Sequence, residues 1–205
     1  PTTYANSITA DELKAHLYTY ASDDFMGRET GTEGETIAIN YLKGEYKALG
    51  IKGGMPNGDY FMPMSLNVYR ESRTIDCNNV LAYIEGSEKP EEVLVITAHL
   101  DHIGVESDGQ INNGADDDGS GSVAILEIAE AFQTAVKQGH RPKRSILFLH
   151  VTGEEKGLLG SKYYTDNPVY PLENTVANLN IDMIGRIDKL HENNPNYMYL
   201  IGSDI

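Results

Sequence analysis

Two continuous apolar runs on either side of one long amphipathic helix constrain the fold of this chain most strongly. The runs are EVLVITAHL (residues 92–100) and RSILFLHVTG (144–153), and GSVAILEIAEAFQTAVKQG (121–139) lies between them. A strand that is apolar along its whole length belongs in a sheet covered on both faces. A strand, helix and strand in succession build a parallel pair. The pattern predicts an α/β fold with a sheet between layers of helices.

The flanking segments extend this alternation. The capping-box spacing of Thr9 and Glu12 predicts a first helix, and a second is expected from about residue 35 to Leu49, ended by Gly50. A short helix is predicted in GLLGSKYYTDN (157–167), and strands in FMPMSLNVYR (61–70), NNVLAYIEG (78–86), TVANLNIDMIG (175–185) and NYMYLIGS (196–203). We therefore expect a three-layer α/β/α sandwich with a mixed, mostly parallel central sheet.

Composition limits the domain count and the classes of partner. The 205 residues, 40% of them hydrophobic, suffice for one core, and no Pro- or Ser-rich stretch divides them, so one domain is expected over residues 1–205. The net charge of -15 repels nucleic acid and anionic lipid, but it suits a multivalent cation where carboxylates converge. The single cysteine, Cys77, permits no internal disulfide. No apolar run approaches the roughly 20 residues of a membrane span, and the first residues have no signal-peptide core.

Acidic and imidazole side chains follow several of the predicted strands. Because the carboxyl ends of parallel strands meet at one edge of a sheet, these side chains are expected to converge there. Converging carboxylates repel one another, and burial raises their pKa values unless a cation compensates. The side chains at these places are His99, Asp101 and His102, the aspartates 116–118, Glu154 and Glu155, and Asp182, and their pattern predicts a metal site.

The types of ligand indicate the metal and its chemistry. Carboxylate and imidazole without thiolate suit zinc in a catalytic site, with Mn²⁺ or Co²⁺ also compatible, and one aspartate can bridge two ions. His99 and Asp101 stand two apart on an extended segment, so the carboxylate can orient the imidazole. Of two adjacent glutamates, one can bind metal while the other accepts a proton from metal-bound water. The residues alone leave open which glutamate does which.

Four motifs, in order, resemble the co-catalytic zinc aminopeptidases of peptidase family M28, a group that includes bacterial leucyl aminopeptidases. They are AHLDHIG, NGADDDGSGSVAILEIAEAF, RPKRSILFLHVTGEEKGLLGSKYY and VANLNIDMIGR, and they span residues from about 93 to 188. The resemblance implies a phosphorylase/hydrolase-like zinc-exopeptidase fold, with residues 1–50 as a helical lead-in. It also implies removal of residues from the N-terminus of peptides or proteins, and a secreted or periplasmic location.

The same resemblance implies a role for each site residue. One zinc ion would be bound by His99, Asp117 and Asp182. Asp117 would bridge to a second zinc held by Glu155. Glu154 would be the general base and proton shuttle, and Asp101 would orient His99. His102 is expected to be structural or to touch the substrate.

The chain departs from the family pattern at one ligand. The family completes its second zinc site with a histidine well downstream of Asp182, but the one histidine after Asp182, His191, does not match that position. We therefore expect the domain to be incomplete at its C-terminal end, with a second zinc site that is weak or empty as written.

Two alternatives share this scaffold. A carboxypeptidase or a glutaminyl cyclase would be another enzyme of the same fold, and the cyclases use one zinc, although GEEKGLLGSKYY is more similar to the peptidases. A binding module that has lost its metal ligands would not be an enzyme, and the presence of every ligand predicted within the motifs argues against it.

Side-chain preference, oligomeric state and physiological substrate do not follow from the sequence.

Overall fold

The described chain, residues 2–69 and 72–202 of a computed structural model, alternates helices and strands along most of its length. The helices are α1 (Thr2–Ala5), α2 (Ala10–Tyr20), α3 (Glu33–Leu49), α4 (Gly121–Lys137) and α5 (Leu159–Asp166). The strands are β1 (Lys52–Gly53), β2 (Phe61–Val68), β3 (Arg73–Ile84), β4 (Lys89–His99), β5 (Arg144–Val151) and β6 (Thr175–Asn180). Short 3₁₀ turns cover Asp23–Arg28 and Leu172–Asn174, and a π-helical turn covers Ala115–Ser120. No helix within these described ranges is long and apolar enough to cross a membrane.

The six strands of the described chain form one mixed sheet in the order β1-β3-β5-β4-β6, with β2 also paired to β3. Strand β4 runs parallel to β5 and β6. Strand β3 runs antiparallel to β1, β2 and β5. Five of these strands therefore point in one direction and β3 opposes them, which confirms the predicted mixed, mostly parallel sheet.

Helices cover both faces of the sheet. On one face Phe148 of β5 packs in a cluster with Leu42 of α3 and Ile125 of α4. On the other face Leu149 packs with Tyr164 of α5. Because alternate residues of β5 enter different cores, the whole strand is apolar, and this explains the continuous run in the sequence. The three-layer arrangement is confirmed; the single domain over residues 1–205 stays a prediction.

Two predicted helix ends have the expected capping contacts. The Thr9 hydroxyl donates to the Glu12 carboxylate at 2.6 Å, and the Glu12 N–H donates to Thr9 Oγ1 at 3.2 Å. Gly50 ends α3 in the left-handed region at φ 78°, with its N–H bonded to the last turn. Both signals act within a few residues, so the sequence alone was enough to locate them.

The predicted strand at residues 196–203 is wrong for its described part, because residues 196–202 contain no strand; Ser203 lies outside the described residues. The ring of Tyr197 stacks on His191 with 3.7 Å between centroids, and the Tyr199 hydroxyl donates to the Asp188 carboxylate. These local contacts fold the segment back onto the loop before it, so that its apolar residues do not join the sheet.

Candidate metal centre

The carboxyl ends of the parallel strands bring the predicted site residues to one edge of the sheet. His99 is the last residue of β4, the glutamates follow β5, and Asp182 follows β6. The aspartates occupy the π-helical turn that precedes α4. Loops from four parts of the chain thus supply one cluster, as predicted from the positions of the strands.

A first group of ligand atoms surrounds His99. Its Nε2 lies 2.9 Å from Asp117 Oδ1 and 3.9 Å from Asp182 Oδ1. An oxygen of Asp118 also lies within 4.8 Å of ligand atoms of His99 and Asp182. Zinc binds nitrogen and oxygen at about 2.0–2.2 Å, so ligands of one ion stand about 3–4 Å apart, which matches these separations.

Asp117 and Asp118 face different partners. The buried Asp118 carboxylate accepts the N–H groups of His99 at 3.2 Å, Gly121 at 2.9 Å and Met183 at 3.3 Å. Those bonds tie the turn to β4 and to the loop after β6. The Asp117 carboxylate is 35% exposed and faces the His99 ring. This geometry favours Asp117 as the ligand and Asp118 as a structural residue; the assignment stays a prediction.

A second group joins Asp117, Glu155 and His102, whose ligand atoms lie within 4.8 Å of one another. His102 Nδ1 is 2.8 Å from Glu155 Oε1. Neither atom makes a well-oriented hydrogen bond in the described structure, although both are buried. Buried polar atoms normally have a partner, and an imidazole nitrogen beside a carboxylate oxygen suits a shared cation. The donor set therefore fits zinc at this position.

His102, which was expected to be structural or to touch the substrate, lies among the candidate ligands of the second group. The second group thus has three candidate ligands, whereas only Asp117 and Glu155 were expected from the sequence. The HLDH sequence contained the signal, because His102 lies three positions after His99. Which way a loop side chain points, however, depends on contacts that spacing does not show.

Asp101 connects the two halves of the site. His99 Nδ1 bonds the backbone carbonyl of Asp101 at 3.0 Å, while the Asp101 carboxylate lies farther away, at 3.6 Å. That carboxylate is fully buried and accepts the N–H groups of Glu154 at 3.2 Å and Glu155 at 3.4 Å. The predicted carboxylate–imidazole bond is thus replaced by a main-chain bond, and the carboxylate instead fixes the glutamate turn.

Crowding and burial perturb the titration of the cluster. Burial raises the pKa values of Glu154, Glu155 and Asp182. Burial alone would lower the pKa of His99, but the negative charge of the Asp101 carboxylate 3.6 Å away, with the other acids nearby, raises it to about 10. A cation bound among these carboxylates would favour their charged forms and balance their mutual repulsion.

A pocket of about 320 Å³ opens beside the first group and is bordered by His99, Glu154 and Asp182. Apolar side chains from β4, β5, α5 and the Leu172–Asn174 turn supply much of its wall: Val95, Leu149, Val151, Leu158, Tyr164 and Leu172. The metal-ligand candidates therefore border a partly apolar space that a substrate side chain can enter.

The family model described as Peptidase family M28 matches residues 79–196. This range includes all the candidate ligands of both groups, together with Asp101 and Glu154.

Two curated relatives show the same similarity over a longer range. Leupeptin-inactivating enzyme 1 of Streptomyces exfoliatus is 33% identical over 182 residues, which are 87% of this chain and 36% of that protein. Aminopeptidase NAALADL1 of Mus musculus is 33% identical over 164 residues, 78% of this chain and 21% of that protein. The chain thus spans well under half the length of either relative.

Solved structures share the fold. A Zn-dependent exopeptidase from Parabacteroides distasonis superposes with a TM-score of 0.69 at 22% identity, covering 86% of this chain and 62% of that chain. A glutaminyl cyclase from Porphyromonas gingivalis gives a TM-score of 0.70 at 20% identity, with the same two coverages. At these identities the two similarities establish a common architecture.

Proposed function

The chain belongs to peptidase family M28, and from that premise we propose that it carries the catalytic centre of a zinc-dependent aminopeptidase. The observation that carries the proposal is the position of Asp117, which belongs to the group with His102 and Glu155 and also lies 2.9 Å from His99 Nε2, beside Glu154. A site of this kind hydrolyses a peptide bond with an activated water, and the pocket next to it receives the residue that is removed.

We propose that His99, Asp117 and Asp182 hold one zinc ion, and that Asp117, Glu155 and His102 hold a second. The distances from His99 Nε2 to Asp117 (2.9 Å) and to Asp182 (3.9 Å) support the first set, and the grouping of Asp117, Glu155 and His102 supports the second. When bound, zinc polarises the scissile carbonyl and lowers the pKa of a coordinated water to about 7.

Glu154 is the proposed general base. Its carboxylate lies 4.0 Å from His99 Nε2 and is 31% exposed, so it borders the first ligand group and still reaches the pocket. Its backbone is held by Asp101. Burial raises the pKa of Glu154, which makes it a stronger base near neutral pH. In the proposed reaction it takes a proton from the attacking water and delivers it to the leaving amine.

Charge favours a peptide N-terminus over a C-terminus as the substrate group. The net charge of -15 and the acids of the cleft attract an ammonium and repel a carboxylate. Among the described residues, three cations near the site are already engaged: Arg28 with backbone carbonyls, Lys156 with Glu29, and Arg186 with Asp116. This arrangement supports aminopeptidase over carboxypeptidase activity.

A three-substrate assay tests the proposal. An aminoacyl chromogenic amide should release free amino acid, while an N-blocked peptide with a free C-terminus should remain intact. A peptide with N-terminal glutamine should lose that residue as glutamine. Formation of pyroglutamate would instead favour the glutaminyl cyclase alternative. A pure binding module should retain no stoichiometric zinc after dialysis, so zinc analysis tests that alternative.

An exported location, secreted or periplasmic, also belongs to this proposal and rests on the resemblance to exported family members. Immunodetection in the periplasmic and culture fractions of the source cells tests it, and a signal confined to the cytosol would contradict it.

A further inference from the structure

The segment Arg28–Thr30 contacts each of the three main loops of the metal centre. These loops are residues 99–102 after β4, residues 113–118 before α4, and residues 152–156 after β5. The segment itself begins at the last residue of the 3₁₀ turn after α2 and contributes no candidate ligand. The segment can therefore influence the geometry of the centre, but it does not coordinate the ion.

Arg28 joins the first two loops. Its guanidinium is fully buried and donates to the carbonyls of Leu100 at 3.0 Å, Asn113 at 2.7 Å and Gly114 at 2.7 Å. A fourth bond reaches the Tyr20 carbonyl at 3.0 Å. A buried charge is costly unless its hydrogen bonds are satisfied, so this side chain holds the two loops at a fixed separation.

Thr30 joins the first and third loops. Its hydroxyl donates to Asp101 Oδ2 at 3.0 Å and accepts the N–H of Gly153 at 3.1 Å. Asp101 in turn holds the N–H groups of Glu154 and Glu155. The single hydroxyl thus supports both the carboxylate that fixes the glutamate turn and the backbone that leads into that turn.

Glu29 and the backbone of the segment complete these links. Glu29 Oε1 lies 2.9 Å from Lys156 Nζ, one residue beyond Glu155. The N–H of His102 donates to the carbonyl of Arg28 at 3.3 Å. The segment therefore holds His102 directly and Glu155 through its neighbour Lys156, and both are candidate ligands of the second group.

We propose that Arg28, Glu29 and Thr30 form a positioning element that sets the spacing of the zinc-ligand loops and thereby determines zinc affinity. The inference rests on the proposed metal centre. The acids of that centre repel one another, so without external support their loops would separate before an ion is bound. Partners that orient ligands typically contribute about 10- to 100-fold in metal affinity.

The test measures zinc affinity by competition with a chromogenic chelator, and the visible spectrum of the Co²⁺-loaded protein. Thr30→Val removes the hydroxyl at nearly constant shape and should weaken zinc binding about 10- to 100-fold. Thr30→Ser keeps the hydroxyl and should restore affinity close to that of the wild type. Arg28→Lys cannot reproduce the planar set of donors and should weaken binding by a similar factor. Both weakened variants should change the Co²⁺ spectrum.

Arg144→Lys is the matched control, because Arg144 is exposed at the start of β5 and pairs with Glu92 far from the centre. Its zinc affinity should equal that of the wild type. A folded Thr30→Val protein that binds zinc as tightly as the wild type would overturn the inference, and this comparison decides the matter if Arg28→Lys does not fold. If the wild type itself binds no zinc, the proposed function fails as well.

Discussion

The buried carboxylate of Asp101 accepts the backbone N–H of Glu154 at 3.2 Å, across 53 positions of the sequence. The residue predicted to orient a metal ligand is therefore also the anchor of the proposed general base. Because this carboxylate fixes the turn that carries both Glu154 and Glu155, loss of its charge should disturb proton transfer and the position of a candidate zinc ligand together.

Asp101→Asn should lower kcat about 10- to 100-fold, since the amide keeps one acceptor oxygen but cannot support both glutamate N–H groups as the carboxylate does. Steady-state kinetics with an aminoacyl amide measure the effect. Asp11→Asn, at an exposed position of α2, serves as the control. Unchanged kcat in Asp101→Asn would remove the anchoring role.

Glu154→Gln should lower kcat about 100- to 10,000-fold, the usual contribution of a general base, while zinc content stays at the wild-type value. The variant keeps the size of the side chain and loses its ability to accept the proton. Kinetics and elemental analysis on the same sample separate the two effects. Glu91→Gln, exposed near the start of β4, should match the wild type in both measurements. Wild-type turnover by Glu154→Gln would exclude this mechanism.

His102→Gln should reduce the zinc content from two ions per chain to one, because it removes a nitrogen ligand from the group with Asp117 and Glu155. Elemental analysis after dialysis at a fixed free-zinc concentration checks this. His140→Gln is the control, since His140 is exposed and bonds Tyr4 at the N-terminal end of the chain. Retention of two ions in His102→Gln would assign His102 a role other than ligation.

Metal removal should lower thermal stability. Zinc that binds only the folded state adds stability by mass action, about 2.7 kcal/mol at a free concentration 100 times its Kd. A chelator should therefore lower Tm, and added zinc should restore it. The chelator presaturated with zinc is the control. Equal Tm with and without metal would contradict a zinc centre formed from these loops.

His150 should make the fold sensitive to acid. Its ring is fully buried, with Nε2 2.7 Å from the Tyr46 hydroxyl, and burial lowers its pKa from 6.5 to about 3. The unfolded chain gains a proton on this ring near pH 6.5, whereas the folded chain does not. The stabilising contribution is therefore fully present above pH 6.5 and is lost as the pH falls toward 3, by roughly 5 kcal/mol at most.

Urea unfolding of wild type and His150→Gln at pH 7.5, 6 and 5 tests that contribution, since the glutamine does not titrate. The difference in unfolding free energy between the two proteins should shrink as the pH falls. A constant difference across this range would show that His150 is not the source of the acid sensitivity.

The sheet and the acid cluster were predictable because their signals are local. A strand buried on both faces, such as β5, must be apolar along its length, and acids placed just after parallel strands converge by topology. The hydrogen bonds that hold the loops of the acid cluster in place, in contrast, join residues far apart in the sequence. Arg28 reaches Leu100 and Asn113 across 72 and 85 positions, and no spacing rule connects them.

The roles of the two adjacent glutamates were also beyond the sequence pattern. Each follows β5 and each has a raised pKa caused first by burial. What separates them is direction: Glu155 faces His102, while Glu154 borders the pocket with His99. Loop conformation sets those directions, and it depends on the bonds from Asp101.

The placement of β6 at the edge of the sheet has a consequence for biosynthesis. Asp182 can approach His99 only after β6 has paired with β4, where Val95 stands opposite Asn178. Pairings between segments this distant in the chain form late, because the intervening chain must first be closed into a loop. A nascent chain still lacking β6 would expose His99 and Asp117 without their third partner, so tight zinc capture would have to wait until β6 has paired with β4.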